Sequence, residues 1–236
     1  MWPNSWRLAL QLFSTWLRTN ANTAICAPLF GLVRTGEYGL SLQAMNVSSG
    51  MAAVWAQVKW PQISQLRSNH DWHGMRRVLW PRVWLQTLTF LALAATAVFL
   101  GPTLLKLLGK DKHLLSTPWL ILMAVSALLD TTFIFWGTLL SVENRIPTLW
   151  ATVATNVGCL ALAFGLSRYT TLGMPALVLA PLLSGIVFNY WYWPLAGARM
   201  LGTRWWRFMF GGPNAGLTPT PAHPVTIATP ELEQKP

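Results

Sequence analysis

Ser14, Arg18 and Asn22 stand four residues apart, which stacks them on one face of a helix, with Thr15, Thr19 and Cys26 beside them. Asn20 and Thr23 widen that polar surface. A guanidinium surrounded by amides and hydroxyls can hold an anion and hydrogen-bond a hydroxylated ligand. Related stripes recur along the chain. Gln43, Asn46, Gly50, Ala53 and Gln57 repeat at intervals of three and four residues. Thr152, Thr155, Asn156 and Cys159 share a face, Asp130 precedes Thr131 and Thr132, and Ser184 and Asn189 lie further on. A single Asn or Thr between apolar helices reads first as a helix–helix hydrogen bond. The first and second stripes are too broad for that alone. Arg18, Asn22, Gln43, Asn46 and Asn156 are therefore the candidates for solute binding, with Asp130 as a coupling or ion-pair group.

Other chemistry is sparse. His70 and His73 flank Asp71, but a hydrated loop accounts for them better than a metal pair. Cys26 and Cys159 fall inside apolar runs and read as small buried hydrophobes rather than a disulfide or metal site. The sequence contains no nucleophile–base–orienter set, Gly-rich phosphate loop or clustered carboxylate pair. An enzyme, a cofactor and a bound metal are not expected.

The elements that must carry these residues are set by composition. Of 236 residues, 53% are hydrophobic and 10% charged, with a mean hydropathy of +0.39. Soluble domains carry about 25% charged residues, so the solvent of most of this chain is lipid. Fifteen Trp fit membrane–water interfaces. The net charge of +10 is spread between apolar runs rather than along one polar face, which excludes nucleic acid as the partner. It reads as topology signalling first and anionic-lipid contact second.

A spanning helix needs roughly 20 apolar residues. Six stretches meet that length, at about 8–33, 38–63, 84–108, 119–142, 146–166 and 172–196. The first two are interrupted by polar residues. The expected fold is an all-α membrane protein, a six-transmembrane-helix bundle over residues 1–207. The remainder, 208–236, reads as a Pro-rich disordered cytoplasmic tail, with six prolines from Gly211 onward. Six passes put both termini on one side. Placing them inside gives inner flanks Arg7, Lys59, Arg67, Arg76, Arg77, Arg82, Arg145, Arg199, Arg204 and Arg207. Outer flanks hold only Arg34, Lys106, Lys110, Lys112 and Arg168, so the termini are expected in the cytoplasm. The longest inner loop, "QLRSNHDWHGMRRVLWPR", reads as either an interfacial amphipathic piece or a solvated basic loop.

An ionisable group at bilayer depth costs from about 3 to more than 10 kcal/mol, so it must face a bundle interior or a wet cavity. Three readings of Arg18 fit. It belongs to an anion or solute site, it pairs with Asp130 as structural glue, or it lies nearer the interface than the span count puts it. Pro28, Gly36 and Gly39 are hinge candidates that capping turns explain equally well.

Several stretches carry a family resemblance. One is "LFGLVRTGEYGLSLQ", a glycine-bounded turn in which Gly36, Tyr38 and Gly39 open the next helix. Another is "WAQVKWPQISQLRSNHDWHGMRRV", where a helix ends at Pro61 before a polar turn and a basic helix. Gly101-Pro102 near the end of the third span and "ENRIPTLW" entering the fifth complete the set. Over about Trp6 to Arg207 the chain resembles the C-terminal half of a polysaccharide-biosynthesis, O-antigen-type flippase of the multidrug/oligosaccharidyl-lipid/polysaccharide exporter superfamily. That resemblance implies one lobe of a twelve-helix transporter in a bacterial inner membrane, exporting lipopolysaccharide precursors. It implies a polyprenyl-diphosphate-linked sugar as substrate, Arg18 as a diphosphate contact, and Asn22, Gln43 and Asn46 as sugar contacts. It also implies a second six-helix lobe, or a second copy of the chain, as the opposite cavity wall, this chain being a partial or split flippase. Two alternatives remain open. One is a cation-coupled multidrug exporter lobe resting on Asp130; the other is a non-transporting membrane assembly partner or remnant.

Overall fold

The computed structural model describes residues 2–107, 113–141, 148–170 and 173–212. Among these the chain is 90% helix with no strands. Helix α1 spans Trp2–Gln57 and is broken at Gly31, whose backbone lies at φ 81°, ψ 167°. That conformation is essentially restricted to glycine. The two limbs fold back on each other there, so that residues of both line one cavity. The reversal therefore sits three residues after Pro28 and not at the expected 33–38 turn. Gly36 and Gly39 are helical, with open space where a Cβ would stand. Gly31→Ala meets no neighbouring atom, so its cost is conformational alone. We expect about 1–3 kcal/mol of destabilisation, measured by thermal unfolding in detergent, with Gly36→Ala neutral or stabilising.

Short helix α2 (Trp60–Ser68) carries Pro61 in its first turn, where a proline's missing N–H is harmless. Pro61 thus starts a helix and does not end one. The expected long inner loop shrinks to a corner. His70 takes the left-handed conformation (φ 55°) at the end of α2, its N–H reaching Arg67 O and that of Asp71 reaching Leu66 O. Asp71 then caps α3 (Trp72–Ala95), its carboxylate accepting from Gly74 N at 2.7 Å. The His70–Asp71–His73 set is turn chemistry, and no metal-binding cluster occurs among the described residues. The helix that carries the third span consequently begins at Trp72, twelve residues before the expected start of the span at Trp84. It continues through a π-helical turn, Thr96–Leu100, into α4 (Gly101–Leu107). The π-turn directly precedes Gly101-Pro102, where proline cannot donate the next helical hydrogen bond.

Helices α5 (Thr117–Ser141), α6 (Leu149–Tyr169), α7 (Pro175–Val187), α8 (Asn189–Met200) and α9 (Trp205–Gly211) follow. Four helical stretches are long and apolar enough to cross a membrane: Trp72–Leu107, Thr117–Ser141, Leu149–Tyr169 and Pro175–Met200. They fit a membrane protein, and outward-facing Leu88, Leu91, Phe99, Ile121, Phe164 and Ile186 suit acyl chains. Neither limb of α1 is apolar enough to join them, so the expected six spans are four by length and composition. Phe208 to Gly211 are helical in α9, so order extends past the expected start of the tail at 208. Residues 213–236, the expected entry of the fifth span at 146, and Lys110, Lys112 and Arg145 lie outside the described residues.

The interior has two apolar cores. One gathers Cys26, Tyr38, Met45, Phe90, Met123, Cys159 and Leu177 near the Gly31 elbow. The other gathers Ile63, Met75, Leu79, Trp136, Leu201 and Phe208 at the opposite end. Both cysteines are free and buried, as expected. Arg67 and Arg76 are buried at this second end. Arg67 Nη1 donates to Leu139 O (3.1 Å) in the last turn of α5, and Arg76 donates through Nε (2.8 Å) and Nη2 to Leu201 O, which caps α8. Cations on the orphan carbonyls of helix C-termini satisfy both hydrogen bonds and dipoles. Two of the arginines expected to mark the membrane flank are therefore internal caps.

Candidate functional site

Between the two cores lies a polar layer. In α5 the residues packed in the first core end at Leu128 and those of the second begin at Phe133; Leu129, Asp130, Thr131 and Thr132 lie between them. Opposite, Arg18 of the first α1 limb places Nη2 3.4 Å from Asp130 Oδ2. Tyr190, just past the α7–α8 break at Phe188, donates its hydroxyl to Asp130 Oδ1 at 3.0 Å. Asp130 thus has a donor on each carboxylate oxygen. The side chains are 20% (Arg18) and 26% (Asp130) exposed, so the pair is neither sealed nor surface-bound.

The pair lines a cavity of about 230 Å³. Thr15, Thr19 and Asn22 join from the first limb, and Tyr38, Asn46 and Ser49 from the second. Asn22 is buried, and its Oδ1 has no partner. Thr131 donates to Ala127 O (2.7 Å) and accepts from Ser49 Oγ (3.1 Å). Gln86 of α3 donates to Thr131 O at 3.3 Å, tying the layer to the third span. Sites that enclose a drug-sized ligand measure roughly 300–1,000 Å³. This one suits a phosphate or a single small polar group, not a whole oligosaccharide.

Of the expected site residues, Arg18, Asn22, Asn46 and Asp130 come together here. Gln43 does not: it is exposed and faces grooves lined by Leu40, Val47 and Leu93 on the other side of the second limb. Three residues before Asn46 on a helix, it has drifted off the cavity face. Asn156 is also elsewhere. It is buried and donates through Nδ2 to Ser14 Oγ (3.0 Å), joining α6 to α1. Asn189 likewise joins α8 to α6 through Thr155 Oγ1 (3.0 Å) and accepts from Trp193 Nε1 (3.1 Å). These amides are interhelical connectors. Gly50, Ala53 and Gln57 line a second cavity with Ser49, Gln86 and Thr138, so the second stripe is divided between two spaces. Sequence reasoning missed Tyr190, which bonds Asp130, and Tyr38 and Ser126, which line the cavity. Tyr190 stands in "NYWYW", where interfacial aromatics mask any single ligand-like residue.

Compared with family models, with curated proteins and with solved structures, the chain shows no match.

Proposed function

We propose that the chain is one lobe of a transporter that flips a lipid-linked oligosaccharide precursor across a bilayer by alternating access. The observation that carries this reading is Arg18 in a polar cavity beside the middle of a helix apolar enough to span the membrane. One N–H of the Arg18 guanidinium engages Asp130, at the long distance of 3.4 Å. A guanidinium has five, which leaves donors for the diphosphate of a polyprenyl carrier. Asn22, Asn46 and Ser49 are the sugar-facing residues. The lipid tail stays in the acyl region while the head crosses.

The size of the cavity supports a second wall from another six-helix lobe or a second copy of this chain. Exposed Leu12, Phe13 and Trp16 of the first limb offer apolar surface for it. The two α1 limbs act as two further passes beside the four apolar helices. Both termini then share one side, which we assign to the cytoplasm of a bacterial inner membrane from the basic residues Arg7, Lys59, Arg77, Arg82, Arg199, Arg204 and Arg207.

In cells, Arg18→Gln lowers surface polysaccharide by more than it lowers the amount of protein, which is measured alongside because the change strands Asp130. Losing a charge-assisted contact, about 1.5–3 kcal/mol, lowers transport roughly 10- to 100-fold. Normal polysaccharide in that variant overturns the assignment, and no phenotype on deletion of the chain marks a non-transporting assembly partner. A cation-coupled exporter lobe is the second reading, favoured by Asp130 facing the same cavity. It predicts that Asp130→Asn, and not Arg18→Gln, stops dye efflux.

A further inference from the structure

Arg199, Arg204 and Arg207 crowd the corner between α8 and α9. With Gly202 and Thr203 they line an open pocket of about 280 Å³. None of the three forms a salt bridge among the described residues. The backbone holds them together. At the end of α8, Thr203 N reaches Ala198 O and Gly202 N reaches Arg199 O, with Gly202 at φ 68°. This is a Schellman turn, which needs a left-handed residue where glycine stands. It brings Arg204 back beside Arg199, and α9 adds Arg207 one turn later. A fourth cation stands behind the turn. Arg76 Nη2 lies 3.1 Å from where a Gly202 Cβ would be, and the buried Nη1 of Arg76 has no partner.

The apolar side of the same corner is equally defined. Trp80 and Trp84 of α3 both donate to Met209 O at 3.2 Å, and Phe208 is buried, which docks α9 on the bundle. Trp206 and Phe210 stack at 5.9 Å and remain 65% and 68% exposed. Arg199 ends the apolar stretch Pro175–Met200, so the pocket lies at headgroup level wherever that stretch spans.

We propose that this corner is a binding site for an anionic phospholipid, the phosphate in the arginine pocket and an acyl chain along Trp206 and Phe210. Guanidiniums bind phosphate oxygens in pairs of parallel hydrogen bonds. Basic pockets beside spanning helices attract anionic headgroups, while the choline cation of a zwitterionic lipid is repelled. The proposal stands apart from the transport reading, since none of these residues lines the Arg18 cavity.

The test uses the full chain in mild detergent and native mass spectrometry with phosphatidylglycerol and phosphatidylcholine of matched chains. Phosphatidylglycerol is retained preferentially. Each of Arg199→Gln, Arg204→Gln and Arg207→Gln weakens that retention about fivefold, and the triple variant about 100-fold. Phosphatidylcholine adducts stay unchanged. All three side chains are exposed, so the variants fold, and an unaltered unfolding temperature confirms it. Equal retention of the two lipids, or undiminished phosphatidylglycerol on the triple variant, overturns the proposal. Displacement of the lipid by millimolar inorganic phosphate overturns it too, because the site would then hold the free ion.

Discussion

Asp130→Ala lowers stability by about 3 kcal/mol, and Arg18→Met with Asp130→Leu recovers most of that loss. Removing one member of a buried ion pair strands the other charge, at about 3–5 kcal/mol. Partial exposure to the cavity places this pair at the lower end of that range. In Asp130→Ala, Arg18 keeps its charge and Tyr190 loses its acceptor as well. Removing both charges leaves nothing stranded, and apolar replacement of such pairs is often neutral or stabilising. Thermal unfolding of the three proteins in one detergent checks the order. The same double variant tests whether the pair does more than hold the fold. Stable but transport-dead protein gives the pair a part in transport, which Arg18→Gln and Asp130→Asn then divide between the two residues; stable protein with full transport reduces the pair to structural glue and removes the proposed binding site.

Gly197→Leu is expected to be the most disruptive single change, costing at least about 3 kcal/mol and reducing the yield of monodisperse protein. A Cβ at position 197 would run into the Trp136 ring. That ring cannot retreat: it is fully buried, with Phe135 and Phe208 edge-on at 5.6 Å on either side. Overpacking a rigid core costs about 1–3 kcal/mol, and here it also forces α8 from α5. Gly158→Ala is the control, since a Cβ there meets nothing within 4 Å. It should gain about 0.5–1 kcal/mol by helix propensity. Size-exclusion profiles and unfolding temperatures measure both. Trp136→Ala combined with Gly197→Leu should restore folding in part.

Hydropathy located the last three apolar stretches to within a few residues, because runs such as "WLILMAVSALL" carry an unambiguous length signal. It passed over the first third of the Trp72–Leu107 helix. Arg76, Arg77, Pro81 and Arg82 read by hydropathy as an interfacial piece or a solvated basic loop, whereas the motif resemblance already had a basic helix starting after the polar turn, where α3 starts. Arg76 instead spends its donors on the carbonyl that caps α8, a contact between residues 125 apart that no local pattern encodes. The elbow was misplaced for a related reason. Three glycines compete between 31 and 39, and only Gly31 takes a conformation closed to other residues. At the candidate site, four-residue spacing put Arg18 and Asn22 on one face, and the cost of a charge at depth nominated Asp130 as the partner. Gln43 and Asn156 failed the same logic. Helical periodicity says which residues share a face, not which neighbour that face meets. Tyr190 was illegible because the break at Phe188 sets its direction.

The placement of the polar layer has a mechanical consequence. Side-chain hydrogen bonds exchange readily for bonds to water, whereas separating packed apolar surfaces costs about 25 cal/mol for each Å² exposed. The two apolar cores behave as rigid blocks, and Ser49, Gln86, Asp130, Thr131 and Tyr190 form the seam between them. The break between α7 and α8 at Phe188 lies two residues before Tyr190, beside that seam. Tilting one block against the other at this joint swaps partners without uncovering hydrocarbon, so the lobe can flex at its waist while each end stays dry.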